Sequence, residues 1–266
     1  MQIWAHGSTV LVVGIQAPRA PLNKSLITAN ISQYWRVSVV ELTESTQSDL
    51  ANLVNSSVAK SGELIVAEFQ SAGRGRLDRT FQAPPQSALL FSFYVEPKRA
   101  VSDWSFISFL SALAMQKVIS EYLPEPATLK WPNDILIGES KVAGLLAQQI
   151  GEGVIVGIGL NVSISIDELP VPTATSLLIA GSKELDRNHL LSEFLNYFET
   201  IFNQWEFGSD FIEEYERVSS TIGRDIRVDV LGRDSILGKA VAISAQGALV
   251  LDDGSKVNVG DVVHLR

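Results

Sequence analysis

Glu63-Leu-Ile-Val-Ala-Glu-Phe69 runs directly into Gln70-Ser-Ala-Gly-Arg-Gly-Arg-Leu-Asp-Arg79, and the rest of the chain is organised around this stretch. Its first part is apolar and partly β-branched, which predicts a buried strand. Its second part carries three arginines on a backbone that contains two glycines. Glycine lets a main chain approach a ligand closely, and a guanidinium matches the oxygens of phosphate or carboxylate. The stretch predicts an anion-binding loop at a strand end, with a solvated basic turn as the alternative.

The composition is that of a globular protein. The 266 residues are 46% hydrophobic, which is ample for a core of one or two domains. With 21 Lys plus Arg against 30 Asp plus Glu, the net charge of -9 argues against general affinity for nucleic acid or an anionic membrane. No cysteine occurs, which excludes disulfides and thiolate chemistry and is compatible with a reducing compartment.

No targeting signal is expected at the N-terminus. The apolar run 10–15 is too short to span a bilayer, and no cluster of basic residues precedes it. Pro18 and Pro21 then interrupt regular structure. Residues 1–20 are therefore predicted to form an extension, either a strand laid on the domain or a loose tail.

The rest of the chain predicts mixed helices and strands. Helical spacing occurs at 22–31, 47–58, 103–122, 188–205 and 211–218, and strand patterns occur at 36–42, 88–95, 141–148 and 154–162. From residue 219 the chain changes to short alternating strands separated by Gly or Asp turns, which predicts a small β-barrel as a second domain. Gly157 and Gly159 lack the third glycine and the following helix of a dinucleotide-binding fingerprint.

Three places in the sequence put unusual chemistry at strand ends. Ser45 and Thr46 stand where a strand meets a helix, so their hydroxyls either cap the helix or face a pocket. Residues 129–134, Leu-Lys-Trp-Pro-Asn-Asp, form a proline-stiffened turn between two apolar runs. Lys141 opens a strand, and a hairpin with the next strand would bring it near Asn161; the alternative is an ordinary edge lysine.

These segments together resemble the biotin protein ligases. The matching segments are 44–46, 68–76, 129–134, 141–145, 157–161 and 174–177. The resemblance implies an α+β fold with a mixed-sheet biotin/lipoate-ligase catalytic domain followed by a small SH3-like β-barrel. The expected divisions are the extension 1–20, the catalytic domain 21–218 and the C-terminal domain 219–266.

The resemblance also implies an activity. Biotin protein ligases use ATP and Mg²⁺ to form biotinyl-5'-AMP, and they transfer biotin to a lysine of a biotin carboxyl carrier domain of acyl-CoA carboxylases. A cytoplasmic monomer or weak homodimer is expected. Some family members carry an N-terminal DNA-binding domain, but only about 35 residues precede the first family strand here, so no specific DNA binding is expected.

Residue roles follow from the same resemblance. Lys141 is expected to be the principal electrostatic catalyst, with Arg74, and Asp134 is expected to receive the proton of the acceptor lysine. Cations suit the reaction because a carboxylate meets the α-phosphate of ATP, and hydroxyls and an amide suit the neutral bicycle of biotin. No metal ligand is assigned. The expected binding residues are Ser45, Thr46, Gln47, Gln70, Gly73, Arg74, Gly75, Arg76, Arg79, Lys130, Trp131, Asn133, Lys141, Gly144 and Asn161.

Two positions depart from the family pattern. Gln47 stands where asparagine is common, and Leu77-Asp78 replaces a basic residue and a glycine, which leaves Arg79 without its usual preceding glycine. Activity is expected to survive both changes because both hydroxyls, Arg74 and Arg76 remain.

Two rival functions are weighed against the ligase. A lipoate-type ligase would share the adenylation chemistry, but its Arg-Arg-x-Ser-Gly-Gly-Gly loop does not occur. A non-catalytic biotin-binding protein would not need Lys141 and Asp134. The motifs of P-loop kinases and of serine hydrolases do not occur either.

Overall fold

A computed structural model describes residues 19–76, 79–230, 232 and 234–265. Within these ranges the chain builds a seven-stranded mixed sheet, and a five-stranded antiparallel sheet follows it. The first sheet contains β1 (Arg36–Thr43), β2 (Glu63–Gln70), β3 (Ala88–Val95), β4 (Thr128–Lys130), β5 (Asp134–Ile137), β6 (Ser140–Ile150) and β7 (Gly153–Asn161). The second contains β8 (Asp225–Asp229), β9 (Ile236–Ile243), β10 (Leu249–Leu251), β11 (Lys256–Val257) and β12 (Asp261–His264).

Helices cover both faces of the large sheet. Its strand order is β1-β2-β3-β7-β6-β5-β4, in which β1 and β2 are parallel and the other neighbours are antiparallel. Every residue of β3 is buried, as a strand with both faces covered requires. The helices are α1 (Lys24–Thr28), α2 (Thr46–Asn55), α3 (Phe106–Ser120), α4 (Arg187–Glu206) and α5 (Ile212–Arg217).

The main core lies between the sheet and the pair α3 and α4. Phe194 and Phe198 of α4 pack against Phe91 and Phe93 of β3, with ring centroids 4.7 to 5.8 Å apart. A smaller cluster around Leu50 holds α2 on the opposite face. The amphipathic stripe of α4 is buried as its spacing predicts.

The helix and strand boundaries agree with the sequence patterns, apart from one shortened helix, and the turn predicted at 129–134 is present. The helix predicted at 22–31 covers only Lys24–Thr28, and the Asn23 side chain caps its start by accepting a hydrogen bond from the Leu26 amide. The segment 129–136 is two strands, β4 and β5, joined by a turn that contains a cis Trp131–Pro132 peptide.

The start of the described chain is fastened to the large sheet. Arg19 donates to the Ser163 carbonyl over 2.9 Å, and Arg187 donates to the Ala20 carbonyl over 2.8 Å. Glu68 accepts a hydrogen bond from the Leu22 amide and lies 2.7 Å from the guanidinium of Arg187. The run 10–15 and the rest of the predicted extension up to residue 18 lie outside the described residues.

The small sheet is joined to the large one along β4. The Leu129 amide donates to the Val218 carbonyl over 2.9 Å, and the Leu129 carbonyl accepts from the Ser220 amide over 2.8 Å. Trp131, which is 1% exposed, donates its indole proton to the Gly247 carbonyl. Within the described ranges, no helix combines the length and the apolarity needed to cross a membrane.

Candidate active site

A cavity of about 190 Å³ opens between the arginine loop (70–76 and 79–80), the first turn of α2, the Lys130–Asp134 turn and β12. Its floor is the face of β6 and β7 that carries Gly144, Gly157 and Gly159. All of the predicted site residues line it except Gly73 and Asn161: Ser45, Thr46, Gln47, Gln70, Arg74, Gly75, Arg76, Arg79, Lys130, Trp131, Asn133, Asp134, Lys141 and Gly144. Segments far apart in sequence therefore form one site.

One end of the cavity, which we name the neutral end (Thr46, Gln47, Gln70 and Ser92), holds only uncharged polar side chains. Gln70 Oε1 accepts from the Thr46 amide over 2.8 Å and from the Thr46 hydroxyl over 2.9 Å. The Thr46 and Ser92 hydroxyl oxygens lie 2.8 Å apart. Ser45 is at the N-cap position of α2 but makes no capping hydrogen bond with its side chain. The buried hydroxyl of Thr46 forms its hydrogen bonds with Gln70 and Ser92 in the cavity wall and does not cap α2.

The other end, the charged end (Arg76, Lys130, Asp134 and Lys141), is half-exposed. Lys141 Nζ lies 2.6 Å from Asp134 Oδ1, and the two side chains are 39% and 27% exposed. Arg76 donates to Asn133 Oδ1 over 3.1 Å. Burial lowers the pKa of Arg76, while Asp261 and Asp134 act in the opposite direction. Cations at this end are paired with groups that an anionic ligand can replace.

Asn133 is held rigidly behind this end. Its side-chain nitrogen Nδ2 donates to the Leu145 carbonyl over 2.9 Å, and its main-chain carbonyl accepts from the Leu145 amide over 2.9 Å. These bonds fix the turn that presents Asp134, so the carboxylate beside Lys141 is placed by backbone geometry.

The arginine loop folds back on itself at the cavity mouth. Arg74 forms a β-bridge with Thr80, and the Gly75 amide donates to the Arg79 carbonyl over 2.7 Å. Arg79 forms an ion pair with Asp261 at the start of β12. The small sheet thus contributes a carboxylate to the cavity. The departure at Leu77-Asp78 lies outside the described residues.

Three glycines form the cavity floor, and a side chain lies over each of them, at Gly144 from the same strand and at the other two from distant segments. A Cβ on Gly144 would lie 2.8 Å from Lys141 Nζ, one on Gly157 2.5 Å from the Gln47 amide, and one on Gly159 2.7 Å from the Phe81 ring. Real Cβ atoms do not make such contacts. Glycine at these positions therefore makes room for side chains that face the ligand space.

Gly73 and Asn161, the two predicted residues that do not line the cavity, contact other parts of the chain instead. Gly73 packs its backbone against Phe81, whose carbonyl oxygen would be 2.4 Å from an added Cβ. Asn161 is 5% exposed and donates to the Thr175 carbonyl over 2.9 Å. Thr175 also donates its amide to the Lys141 carbonyl over 2.8 Å. Asn161 and Lys141 are near one another, as the hairpin predicted, but Thr175 lies between them.

Several lining residues have no signal in the sequence. Ser92 lies inside a strand that reads as pure core, and Phe81 follows the arginine loop without a recognisable pattern. Asp261 is brought to the cavity by the small sheet, about 180 residues after the arginine loop. Only the glycine spacing at Gly157 and Gly159 could have indicated the floor.

Comparisons with known proteins agree with this arrangement. A family model described as "Biotin/lipoate A/B protein ligase family" matches residues 39–165, and one described as "Biotin protein ligase C terminal domain" matches residues 221–265. The biotin--[acetyl-CoA-carboxylase] ligase of Mycobacterium tuberculosis is 36% identical over 241 residues, which cover 87% of this chain and 90% of that protein. The chain belongs to the biotin protein ligase family.

Other family members extend the likeness. The bifunctional ligase/repressor BirA of Bacillus subtilis is 31% identical over 224 residues, which cover 80% of this chain and 67% of that protein. The biotin protein ligase of Aquifex aeolicus, solved in complex with biotin and ATP, is 28% identical with a TM-score of 0.74 and covers 87% of this chain and 99% of that one. The predicted fold class, a mixed-sheet ligase domain followed by an SH3-like domain, is confirmed.

Proposed function

We propose that the protein is an ATP-dependent ligase that forms biotinyl-5'-AMP from biotin and ATP and then transfers biotin to a lysine of a biotin carboxyl carrier domain. The observation that carries the proposal is the division of one cavity into a neutral end and a charged end, in a chain of the biotin protein ligase family. Biotin has a neutral bicycle and an anionic tail, so it needs both ends of the cavity for binding. ATP and biotin are the substrates that this division fits.

Adenylation brings two anions together at the charged end. One oxygen of the biotin carboxylate attacks the α-phosphate of ATP, and pyrophosphate leaves. Charge repulsion between the reactants must be offset, and fixed cations do this well where water is scarce. Lys141 is proposed as the principal catalyst because its ammonium lies over the bare backbone of Gly144, with Arg74 and Arg76 on the loop opposite.

Mg²⁺ is proposed as the metal that accompanies ATP. Magnesium needs only one or two protein carboxylates because the phosphates supply further oxygens. Asp134 and Asp261 provide carboxylates on the cavity wall, so the residues fit the ion. When bound, the metal would neutralise phosphate charge.

The neutral end is proposed to bind the ureido group of biotin. Ser45, Thr46 and Gln70 offer donors and acceptors, and Phe81 and the glycine floor offer apolar surface. Lys130, Trp131 and Asn133 form the wall on the adenylate side. Roles for Gly73 and Asn161 are proposed to be indirect, through the loop and through Thr175.

The second step transfers the acyl group. The amine of the acceptor lysine attacks the acyl carbon and AMP leaves, so one proton must be removed from the amine. Asp134 is the carboxylate that we assign to this proton, because it lines the cavity beside the Lys141 ammonium, 2.6 Å away. The arginine loop lies at the cavity mouth, where it would limit hydrolysis of the mixed anhydride.

The acceptor domain is proposed to dock at the open edge of β6. β5 pairs with β6 only as far as Gly144, and the Leu145 amide next to it donates to the Asn133 carbonyl. Further along β6, the backbone groups of Ala147 and Gln149 point away from β7. Among the described residues, no strand lies beside these groups. A groove beside this edge shares Trp131 and Asn133 with the cavity. Ala147→Pro would remove an outward donor without breaking the pairing to β7. We expect lost transfer with retained adenylation; unchanged transfer would exclude this edge.

Biotin-dependent exchange of labelled pyrophosphate into ATP tests the activity. Wild-type protein should catalyse exchange with biotin, and Lys141→Ala should lose it. Lys117→Ala is the matched control because Lys117 is 52% exposed on α3 and pairs with Glu121 away from the cavity. Exchange with lipoate alone would make the protein a lipoate-type ligase, and biotin binding without exchange would make it a binding protein.

The cellular setting is proposed from the same function. The carrier domains of acyl-CoA carboxylases are the proposed partners, the cytoplasm is the proposed compartment, and a monomer or weak homodimer is the proposed state. Specific DNA binding is not part of the proposal. Analytical ultracentrifugation over a range of protein concentrations tests the oligomeric state.

A further inference from the structure

A buried ion pair lies outside the cavity, close to the base of the arginine loop. The carboxylate of Glu68 is 2.7 Å from the guanidinium of Arg187, and the two side chains are 10% and 3% exposed. Neither residue lines the cavity. Taking two charges out of water is costly, and a buried pair is often no more stable than apolar residues of similar size. Stability alone therefore does not explain why a charged pair occupies this place.

The position of Arg187 in its helix leads to the same conclusion. Arg187 is the first residue of α4 and directly follows the N-cap residue Asp186. A helix N-terminus carries partial positive charge, so a cation is unfavourable there. The guanidinium donates to two main-chain carbonyls, that of Ala20 over 2.8 Å and that of Ala88 over 3.3 Å. Arg187 therefore connects segments of main chain and does not serve its own helix.

These contacts meet where the arginine loop leaves and rejoins the large sheet. The ladder between β2 and β3 ends before residue 68, and the chain that joins the two strands carries the loop. We name Glu68, Gln86 and Ala88 the neck of the loop. The Gln86 amide donates to the Glu68 carbonyl over 2.9 Å, and Arg187 connects the Glu68 carboxylate to the Ala88 carbonyl. A main-chain hydrogen bond and a side-chain bridge thus close the neck together.

We propose that Arg187 and Glu68 are positioning residues for the arginine loop. Their bridge across the neck fixes the spacing between the outgoing and the returning side of the loop, and with it the placement of Arg74 and Arg76 in the cavity. The two sides are joined again farther out by the bridge between Arg74 and Thr80, so a displacement at the neck moves the loop as a unit. This inference rests on the proposed function and deepens it, because it ties the rate of adenylation to residues outside the cavity.

The neutral end of the cavity does not depend on this bridge. Gln70 is held by the amide and the hydroxyl of Thr46, over 2.8 and 2.9 Å. Biotin binding should therefore persist when the bridge is lost, while the placement of the loop arginines changes. A positioning role predicts a lower rate per folded molecule, whereas a purely structural pair would change only the fraction of molecules that fold.

Arg187→Lys is the decisive variant. It keeps a positive charge beside Glu68, but one ammonium cannot occupy the places of the two guanidinium nitrogens that reach Ala20 and Ala88. Titration calorimetry gives the biotin affinity and the number of binding sites, so kcat for biotin-dependent pyrophosphate exchange can be expressed per folded molecule.

The expected result is a loss of rate without a matching loss of affinity. Misplacing a catalytic group by about 1 Å can reduce the rate roughly 100-fold, and because the bridge between Arg74 and Thr80 remains, we expect kcat per binding site to fall roughly 10-fold. The biotin affinity should stay within about 3-fold of wild type. Wild-type kcat per binding site in Arg187→Lys would overturn the inference, and so would a loss of biotin affinity as large as the loss of kcat.

Glu63→Gln is the matched control. It breaks the ion pair with Arg36 at the opposite end of β2, where the Glu63 side chain is 21% exposed, and it should leave kcat unchanged. If Arg187→Lys does not fold, Glu68→Gln answers the same question. Glutamine can still accept from the Leu22 amide, but it lacks the charge that faces Arg187. Its kcat per binding site should also fall, and a wild-type value would overturn the inference. Wild-type protein that catalyses no exchange would instead refute the proposed function.

Discussion

The two ends of the cavity are stabilised in different ways. At the neutral end, Thr46 and Ser92 are almost fully buried and bond to each other and to Gln70. At the charged end, Lys141 and Asp134 are 39% and 27% exposed. Leaving a buried polar group unpaired costs about 1–3 kcal/mol, whereas an exposed ion pair contributes about 0–1 kcal/mol. The neutral end is therefore fixed before ligand binding, and the charged end can exchange its partners.

This difference assigns separate tasks to the two ends. A preformed hydrogen-bonded row selects a ligand by its shape and polarity. Cations held by weak pairs are available to phosphate and carboxylate when these arrive, since exchanging one anionic partner for another costs little. Changes at the neutral end should alter biotin affinity, and changes at the charged end should alter the rate of adenylation.

The largest difference between the effect on kcat and the effect on biotin affinity is expected for Gly144→Ala. A methyl group at this position would lie 2.8 Å from Lys141 Nζ and 2.9 Å from Cε, so the ammonium must move. Misplacing a catalytic group by about 1 Å can reduce the rate roughly 100-fold. We expect kcat for pyrophosphate exchange to fall by about that factor. Biotin affinity and the melting temperature should change little, because a flexible side-chain end can move aside.

Exchange kinetics at saturating biotin and ATP, together with calorimetric biotin binding, check this prediction. Gly157→Ala is the matched comparison at the other end, where an added Cβ would meet the Gln47 amide at 2.5 Å. It should weaken biotin binding and leave kcat nearly unchanged. Equal effects of the two variants on kcat would show that the ends do not act separately.

The next largest effect is expected for Thr46→Val. Valine keeps the shape but removes the hydroxyl between Gln70 and Ser92, which leaves two buried groups without one partner. Biotin affinity should fall by roughly 10- to 100-fold, while kcat at saturating biotin should stay within about 3-fold. The loss should be the same at low and high salt because no charge is involved. Thr200→Val on the exposed face of α4 is the control, and a salt-dependent loss of biotin affinity in Thr46→Val would contradict the assignment.

A third prediction concerns the dependence of folding stability on pH. His264 is in β12, where burial, together with the charges of Lys130 and Arg224, lowers the pKa of His264 to about 4. Its folded pKa is below the value near 6.5 of an unfolded chain, so the unfolded state binds more protons between these values. Stability contributed by neutral His264 is present above about pH 6.5 and is lost as the pH falls toward 4.

Urea unfolding at pH 7, 6, 5 and 4.5 measures this dependence. The wild-type midpoint should decline across the series, and the decline should be shallower in His264→Gln, which has no proton to gain. The His264 side chain is partly exposed, so solvent screening reduces the effect. Parallel declines in the two proteins would assign the pH dependence to other groups.

The sequence predicts the fold better than it predicts the site. Local patterns fix single elements, such as β3 at Ala88–Val95 and the long amphipathic helix α4. They also identify the arginine loop and the turn at Lys130–Asp134, because unusual residues are adjacent there. The role proposed for Lys141 comes from the family resemblance, because its position at the start of a strand indicates no function.

What the sequence misses depends on contacts between distant residues. Ser92 reads as a core residue, and only the register that pairs it with Gly157 places it beside Thr46. Asp261 reaches the cavity because β4 joins the two sheets. The cavity-facing role of Gln47 requires a glycine 110 residues later in the chain. Such pairings arise from tertiary structure and leave no local pattern.

The smallest effect is expected for Asp261→Asn, which removes the charge that pairs with Arg79. The Arg79 side chain is 66% exposed, so the stability should change by less than about 1 kcal/mol. The loop itself loses an anchor to the small sheet, and trypsin should cleave it about 2- to 5-fold faster in low salt, with the difference shrinking as salt screens the pair. Glu121→Gln, which breaks the exposed pair with Lys117, is the control and should leave cleavage of the loop unchanged. Unchanged cleavage in Asp261→Asn would mean that the arginine loop is held by its own bridge between Arg74 and Thr80, and that the small sheet contributes a wall to the charged end but no restraint.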